Sequence, residues 1–444
     1  MQKHTSSDSG MTTLMANSIM SKGIIIIGLI LLLLIPFSML SNIISERETI
    51  SQEAIKEVHA KWAEEQLING PILSIPVVYQ SQETTEPTEI TELIHILPED
   101  YAIAGTLEPQ KLRRGIYEVV VYTSRLEFSG SFALDLNAAG DNVQEIKFDQ
   151  AFITLGISDL RGIQDKITLS MNNRSFPAQP GSNLAGIPSG VTFQIPVLDE
   201  MVGSIVNFGF SLNLQGSQHL DFVPTGATTT VQLASNWDSP SFNGSFLPDG
   251  REISEDGFVA SWKILQLNRN FPQSWRGPNI PASMKESAFG VNLLLPLDDY
   301  QKTMRSVKYA IMTIVLTFLI FFLVEILYKR KIHPLQYTLV GLALCLFFVL
   351  LLSISEHLHF NVAYMISTVA VISMIALYSI KLFKVRRLSL ILCFTLIALY
   401  AFLFVNLQLT EYALLMGSTG LTLILAATMY FTRDVNWYQM TENK

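Results

Sequence analysis

Apolar and polar positions divide the chain of 444 residues into three stretches. An unbroken apolar run fills residues 23–44, and a mostly polar stretch follows over residues 45–306. Five further apolar runs then crowd together at about residues 308–328, 335–354, 361–383, 388–406 and 411–431. A helix needs roughly 20 residues to cross a hydrocarbon core about 30 Å thick. The six runs therefore predict six transmembrane helices, one N-terminal and five C-terminal, with the polar stretch inserted after the first.

Inside the insertion the period changes. Residues 45–71 read SERETISQEAIKEVHAKWAEEQLINGP. Ser45 and Glu48 suit a capping box, Ile50, Ala54, Val58 and Trp62 recur every fourth position, and Asn69-Gly70-Pro71 is a stop signal. That helix is expected to continue out of the first span as a stalk. Beyond it the period is two: Val206, Phe208, Phe210, Leu212 and Leu214 alternate with small or polar residues. Residues 118–136 behave similarly, with Gly130 expected at a turn or bulge, and residues 228–233 are β-branched. A turn-rich segment at 172–188 leaves two options, one large sandwich or two smaller β units. Helical patterning returns near Asp298, and residues 298–309 are expected to lead straight into the second span. The expected fold is thus an α+β membrane protein with a large inserted, mainly antiparallel β-sandwich-like domain. Helical stalks at 45–67 and 298–309 flank that domain.

Charge orients this arrangement. Hydrophobic residues make up 49% and the formal net charge is −8, with a mean hydropathy of +0.34. Residues 45–306 carry 18 Lys+Arg against 32 Asp+Glu, and residues 307–444 carry 10 against 5. An acidic insertion is a poor match for nucleic acid, so none is expected as a partner. The basic residues of the C-terminal part sit in two loops, Lys329, Arg330 and Lys331 and then Lys381, Lys384, Arg386 and Arg387, and at Arg433. Loops 355–361 and 406–410 contain no Lys or Arg. The positive-inside rule then puts both termini, residues 1–22 and 433–444, in the cytoplasm and residues 45–306 outside, in the periplasm of a Gram-negative cell. Arg305 and Lys308 break the pattern and are expected to snorkel to headgroups. The first span is longer than a signal-peptide core and no small-x-small site follows it, so it is expected to stay as an anchor. Residues 1–21 have a disordered composition, with Lys22 closing the cytoplasmic flank.

Chemistry is sparse. Cys345 and Cys393 both lie in predicted spans, so the exported domain uses no disulfide. Its histidines, His59, His95 and His219, lack metal-ligand spacing, and no CxxC, HExxH, GxSxG or Walker pattern occurs. No catalytic residue, metal or cofactor is assigned, and the protein is not expected to be an enzyme.

Several long stretches, in order, carry a resemblance. These include residues 62–76 (WAEEQLINGPILSIP), 114–122 (RGIYEVVVY), 158–162 (SDLRG), 235–248 (SNWDSPSFNGSFLP), 257–262 (GFVASW) and 268–275 (NRNFPQSW). The membrane part adds 305–309 (RSVKY), 333–341 (HPLQYTLVG), 350–357 (LLLSISEH) and 413–437. Over almost everything after residue 45 the chain resembles the CreD family of inner-membrane proteins. That resemblance implies an envelope-integrity factor of Gram-negative bacteria, linked to a two-component system, colicin tolerance and β-lactam stress. It brings no agreed catalytic residues.

Three constellations remain as candidates. Trp237, Phe242 and Phe246 lie among turn residues in 235–250, where aromatics can form a contact surface for a glycan, lipid or protein or fold back over the core; Asp238 or Asp249 would be the acid there. Glu356, His357, His359 and Glu411 fall near one membrane face, as a proton-linked or metal-binding group or as residues wetted by headgroups. Glu325 is an intramembrane acid, with Lys329 at the favourable i+4 spacing and Arg330 close by. Ser367, Thr368, Ser373, Gly417, Ser418 and Gly420 suit close helix packing. The function expected is a non-enzymatic envelope protein whose exported domain contacts an unidentified periplasmic component while the spans contact the lipid bilayer. A transporter or flippase and a cell-wall hydrolase are the alternatives.

Overall fold

The computed structural model describes residues 19–80, 89–134, 136–140, 143–196, 198–201, 205–293, 299–328, 332–383, 385–409 and 412–433. It separates into two compact units, Met1–Ser51 with Leu297–Lys444, and Gln52–Pro296.

The first unit is helical. Helix α1 (Ile19–Trp62) is continuous and contains Pro36, so Ser45 sits inside a helix and caps nothing. Helix α2 (Ala282–Glu286) belongs to the second unit. Helices α3 (Asp299–Lys308) and α4 (Ala310–Leu327) follow, then α5 (Pro334–Ser355), α6 (Phe360–Phe383), α7 (Arg386–Gln408) and α8 (Ala413–Thr432). The expected straight passage into the second span is replaced by a 45° bend between α3 and α4. Among the described residues, α1 from Lys22, α5, α6 and α7 are long and apolar enough to cross a membrane. The bent pair makes a fifth if counted as one span, and α8 carries a shorter apolar stretch, Leu415–Tyr430. One stripe of α1, Leu33, Phe37, Leu40 and Ile44, is buried with Phe318 and Phe348. Phe37 meets Phe348 edge-on, with centroids 5.2 Å apart. Leu31, Leu32 and Ile35 on the opposite stripe are exposed, as suits a helix facing lipid.

The second unit is built of strands. In chain order these are β1 (Gln66–Gln80), β2 (Glu89–Ile96), β3 (Asp100–Arg114), β4 (Tyr117–Ala133), β5 (Val143–Ile146), β6 (Phe152–Ile157), β7 (Thr168–Met171), β8 (Arg174–Pro177) and β9 (Gln179–Pro180). After them come β10 (Gly190–Gln194), β11 (Ile205–Ser217), β12 (His219–Phe222), β13 (Thr228–Ser235), β14 (Pro240–Gly244), β15 (Gly250–Ser254), β16 (Gly257–Leu265), β17 (Ser274–Arg276) and β18 (Phe289–Leu293). A ten-stranded sheet runs β14-β18-β12-β1-β6-β10-β9, with β2 and β5 also on β1 and β17 on β2; an eight-stranded sheet runs β15-β16-β13-β3-β4-β11-β7-β8. Pairing is antiparallel apart from β1 with β12 and β3 with β13.

The two sheets share one core. Ile75, Phe193 and Phe222 from the first bury with Tyr101, Leu126 and Phe210 from the second. Phe193 lies 6.2 Å from Phe210 across the gap, so the unit is a sandwich. Residues 172–188 hold β8 of one sheet and β9 of the other, a crossing between layers rather than a domain boundary. The alternating residues Val206 to Leu214 of β11 are all buried.

Two punctuation signals turn out differently. Helix α1 ends at Trp62, and Asn69-Gly70-Pro71 lies inside β1. There the register with β6 shifts between Asn69 and Ile72, a bulge for which Gly70 supplies the positive φ of 119°. Gly130 makes no turn either: β4 passes through it in register with both neighbours. A Cβ there would stand 2.3 Å from the Asp100 carbonyl oxygen and 2.7 Å from Phe208 Cζ, so this glycine admits the Phe208 ring.

Candidate functional site

Glu325 lies near the end of α4 with its side chain 8% exposed. It forms an ion pair with Lys22 of α1. It also accepts the Ile332 amide at 3.2 Å and the Tyr337 hydroxyl at 3.1 Å. The local sequence builds this pocket: His333 and Gln336 cap α5 at Pro334, which brings Tyr337 one turn in, beside Phe318 and Phe321. A carboxylate this buried would be costly without such donors. Lys329 and Arg330, its expected partners, lie outside the described residues. Lys22 stands 303 positions away, which no local spacing could signal.

At the other end of α5, Glu356 caps the helix and lies 3.5 Å from Arg47 of α1. His357 and His359 are exposed, and Glu411 lies outside the described residues. Among the described residues no three His, Cys, Asp or Glu side chains gather in a metal-holding group.

The aromatic segment is half strand. Residues 240–244 form the edge strand β14, where a proline is tolerated. Trp237 is 8% exposed and lies within the core, with Lys111 Nζ 5.4 Å from its ring centroid. Phe242 meets Phe258 and Trp262 edge-on at 5.8 and 5.7 Å, and Phe246 meets Phe289 at 6.1 Å. Trp237 is thus buried, while Phe242 and Phe246 are half-buried and pack their rings against the core. Asp249 Oδ2 accepts the Lys263 amide at 2.7 Å, and Asp238 is exposed.

Two histidines of the sandwich, His95 and His219, have side-chain or backbone neighbours there. His95 bridges Ser74 Oγ and the Gly277 carbonyl, both at 2.8 Å, and stacks 4.9 Å from Trp275. Burial holds its pKa below the ordinary value. His219 Nε2 is 3.8 Å from Glu65, and burial raises the pKa of Asp221, two residues on.

A polar joint at the end of α1 carries no sequence assignment. Asp159 accepts the Glu64 amide at 2.9 Å and the Arg161 amide at 3.1 Å. Arg161 grips the same carboxylate through Nε at 2.9 Å and Nη2 at 2.6 Å, and its Nη1 donates to the Ala60 carbonyl of α1. The Arg161 hydrogen bond, more than any other cause, holds the Asp159 carboxyl below its usual range. Gln66 Nε2 donates to the Asp159 and Gln215 carbonyls at 3.0 and 2.9 Å. Gly162 lets this happen, since a Cβ there would stand 2.2 Å from the Gln215 oxygen. The signal was present in the SDLRG stretch that carries the resemblance, but nothing in its spacing named a partner.

Fold and sites together define a membrane protein with several apolar helices and one large sheet-rich unit. The family model "Inner membrane protein CreD" matches residues 18–438. The inner membrane protein CreD of Escherichia coli (strain K12) is 33% identical over 416 residues, covering 93% of this chain and 92% of that one. The chain belongs to the CreD family. Among solved structures, the M1 zinc metallopeptidase of Deinococcus radiodurans has a TM-score of 0.21 at 8% identity, covering 44% of this chain and 42% of that one. A mutant of that enzyme has 0.20 at 9%, covering 38% of each chain. Likeness this low carries no argument about fold or activity.

Proposed function

We propose that this chain is an envelope-integrity protein in which the sandwich meets a periplasmic component and α1 transmits that contact to the membrane bundle. One observation carries the reading: α1 is a single helix held along its length. Lys22 pairs with Glu325, Arg47 lies against Glu356, and Arg161 takes the Ala60 carbonyl. Membership of the CreD family supports the envelope role, with β-lactam and colicin responses as the phenotypes to read. The test inserts a flexible Gly/Ser linker after Ser51, and a second before α3, in cells that rely on this copy. Loss of the stress phenotype with protein still in the membrane is expected. An unchanged phenotype with both linkers in place would sink the coupling idea.

The proposed topology has six spans: α1, the bent pair α3–α4, α5, α6, α7 and α8. Both termini are cytoplasmic and residues 45–306 periplasmic. The basic loops support it. Ile116→Cys places a thiol on an exposed position of the sandwich. Labelling by a membrane-impermeant maleimide in spheroplasts is expected, and labelling only after lysis would reverse the orientation.

A further inference from the structure

The end of α7 lies against the bend between α3 and α4. Leu316 packs with Leu399 and Leu403, and Tyr309 and Met312 lie beside them, which fixes an antiparallel register. At the end of that register Arg305 Nη2 donates to the Leu409 carbonyl at 3.1 Å. Three groups on the helix ends that meet here are orphaned. Asn406, one turn before Leu409, is 0% exposed, and neither its amide nitrogen nor its oxygen has a partner. Ser306 is 3% exposed with Oγ unpartnered, and Nη1 of Arg305 is buried and unpartnered as well.

Buried polar atoms in native proteins have partners in the great majority of cases, and an orphan calls for an explanation. Here the orphans share a character. A guanidinium N–H, an amide NH₂ and a hydroxyl can all donate, and Arg305 brings one positive charge. The carboxylates of Glu325 and Glu356 are committed to Lys22 and Arg47, and Glu411 lies outside the described residues. The ends of spanning helices lie at the depth of lipid headgroups, and arginine matches phosphate oxygens well.

We propose that Arg305, Ser306 and Asn406 form a binding site for a phosphate group, the phosphodiester of an anionic phospholipid being its source at the membrane surface. Native mass spectrometry of the full chain, equilibrated with equal phosphatidylglycerol and phosphatidylcholine, tests this. Retention of phosphatidylglycerol about tenfold above phosphatidylcholine is expected, equivalent to ~1.4 kcal/mol. Arg305→Gln and Asn406→Leu should each bring the ratio to about one. The leucine variant replaces an orphaned amide with an apolar side chain, so it should fold at least as well as the parent. Inorganic phosphate titrated in neutral detergent separates the sources. A rise in melting temperature that Arg305→Gln abolishes supports a site for phosphate itself; lipid preference without that rise supports the headgroup. No lipid preference and no phosphate response in the parent would overturn the proposal. So would a preference that survives in both variants. Equal destabilisation by Glu411→Gln and Arg305→Gln, with no lipid preference in the parent, would give the guanidinium to Glu411 instead.

Discussion

Asp159→Ala removes the pivot of the joint at the end of α1. The Asp159 side chain is 11% exposed and takes the amides of Glu64 and Arg161 together with two Arg161 side-chain donors. Hydrogen bonds to a charged group contribute about 1.5–3 kcal/mol when well buried. The Arg161 side chain is 53% exposed, so its arm contributes less than about 1 kcal/mol after solvent screening. The two amide bonds reach solvent, so each contributes about 1 kcal/mol, and the total loss is ~2–3 kcal/mol. For a unit of this size each kcal/mol moves the melting temperature by about 2–4 °C, so a drop of roughly 5–10 °C is expected. Asp159→Asn keeps one acceptor oxygen and should lose about half as much. The pH dependence has a definite sign. The folded carboxyl titrates below its unfolded value of about 3.9, so its contribution is complete above that pH and disappears as pH falls through the folded value. The gap between parent and alanine variant should therefore narrow as pH falls below about 3.9. The assay is thermal unfolding of the full chain in detergent, with amide hydrogen exchange at residues 60–67 as the local readout. A melting temperature within about 1 °C of the parent near pH 7, or a gap that does not narrow as pH falls below about 3.9, would refute the reasoning.

Lys22 and Glu325 should couple in a double-mutant cycle. Glu325→Leu alone costs ~3–5 kcal/mol through the stranded partner, and Lys22→Met should recover at least ~1 kcal/mol of it; additivity within ~0.5 kcal/mol would mean that the pair is not formed. Gly130→Ala drives a Cβ onto the Asp100 carbonyl, a backbone atom that cannot swing aside, at a cost of about 1–3 kcal/mol. A melting temperature unchanged by this substitution would contradict the close approach of Phe208. Asp221→Asn should have the opposite effect. Burial raises the Asp221 carboxyl and its Oδ1 has no partner, so parent stability falls as pH rises from about 3.9 towards the folded value. The asparagine variant should match or exceed the parent near pH 7 by ~0–1 kcal/mol and converge with it at about pH 3. A clear loss near pH 7 would mean that the ionised carboxylate has a partner.

Period carried most of what was legible. The alternation in β11 and the apolar runs of α5, α6 and α7 report directly on which face or length is buried, so sheet-rich and membrane parts separate in the sequence. Punctuation was less reliable, because Gly and Pro mark several backbone conformations alike. Gly70-Pro71 could end a helix or bulge a strand, and the shift against β6 decided which. Gly130 could turn or merely make room, and Phe208 decided that. Likewise the break at Tyr309 follows no helix breaker, and an apolar sequence running through it conceals the bend. Of the candidate residues, Glu325 stood out because an acid in a span needs an explanation. Its partner did not, since tertiary pairing over 303 positions leaves no periodic trace. The aromatics of 235–250 looked like a surface because their neighbours are turn formers, yet an edge strand can be turn-rich and still hold its rings against the core.

The stretches that carry the family resemblance gain a physical meaning from where they fall. SDLRG holds Asp159 and Arg161, which take the end of α1. HPLQYTLVG holds Tyr337, which bonds the acid paired with the start of α1. LLLSISEH holds Glu356, which lies against Arg47 in the middle of the same helix. RSVKY holds Arg305 and Ser306 in α3, just before its bend into α4. A catalytic cleft would gather such residues around one cavity, with a nucleophile or paired acids in reach of a common point. Here three of the four stretches lead to α1, a helix of 44 residues, at its beginning, middle and end. That distribution suits a part whose task is to keep one element in register with its surroundings.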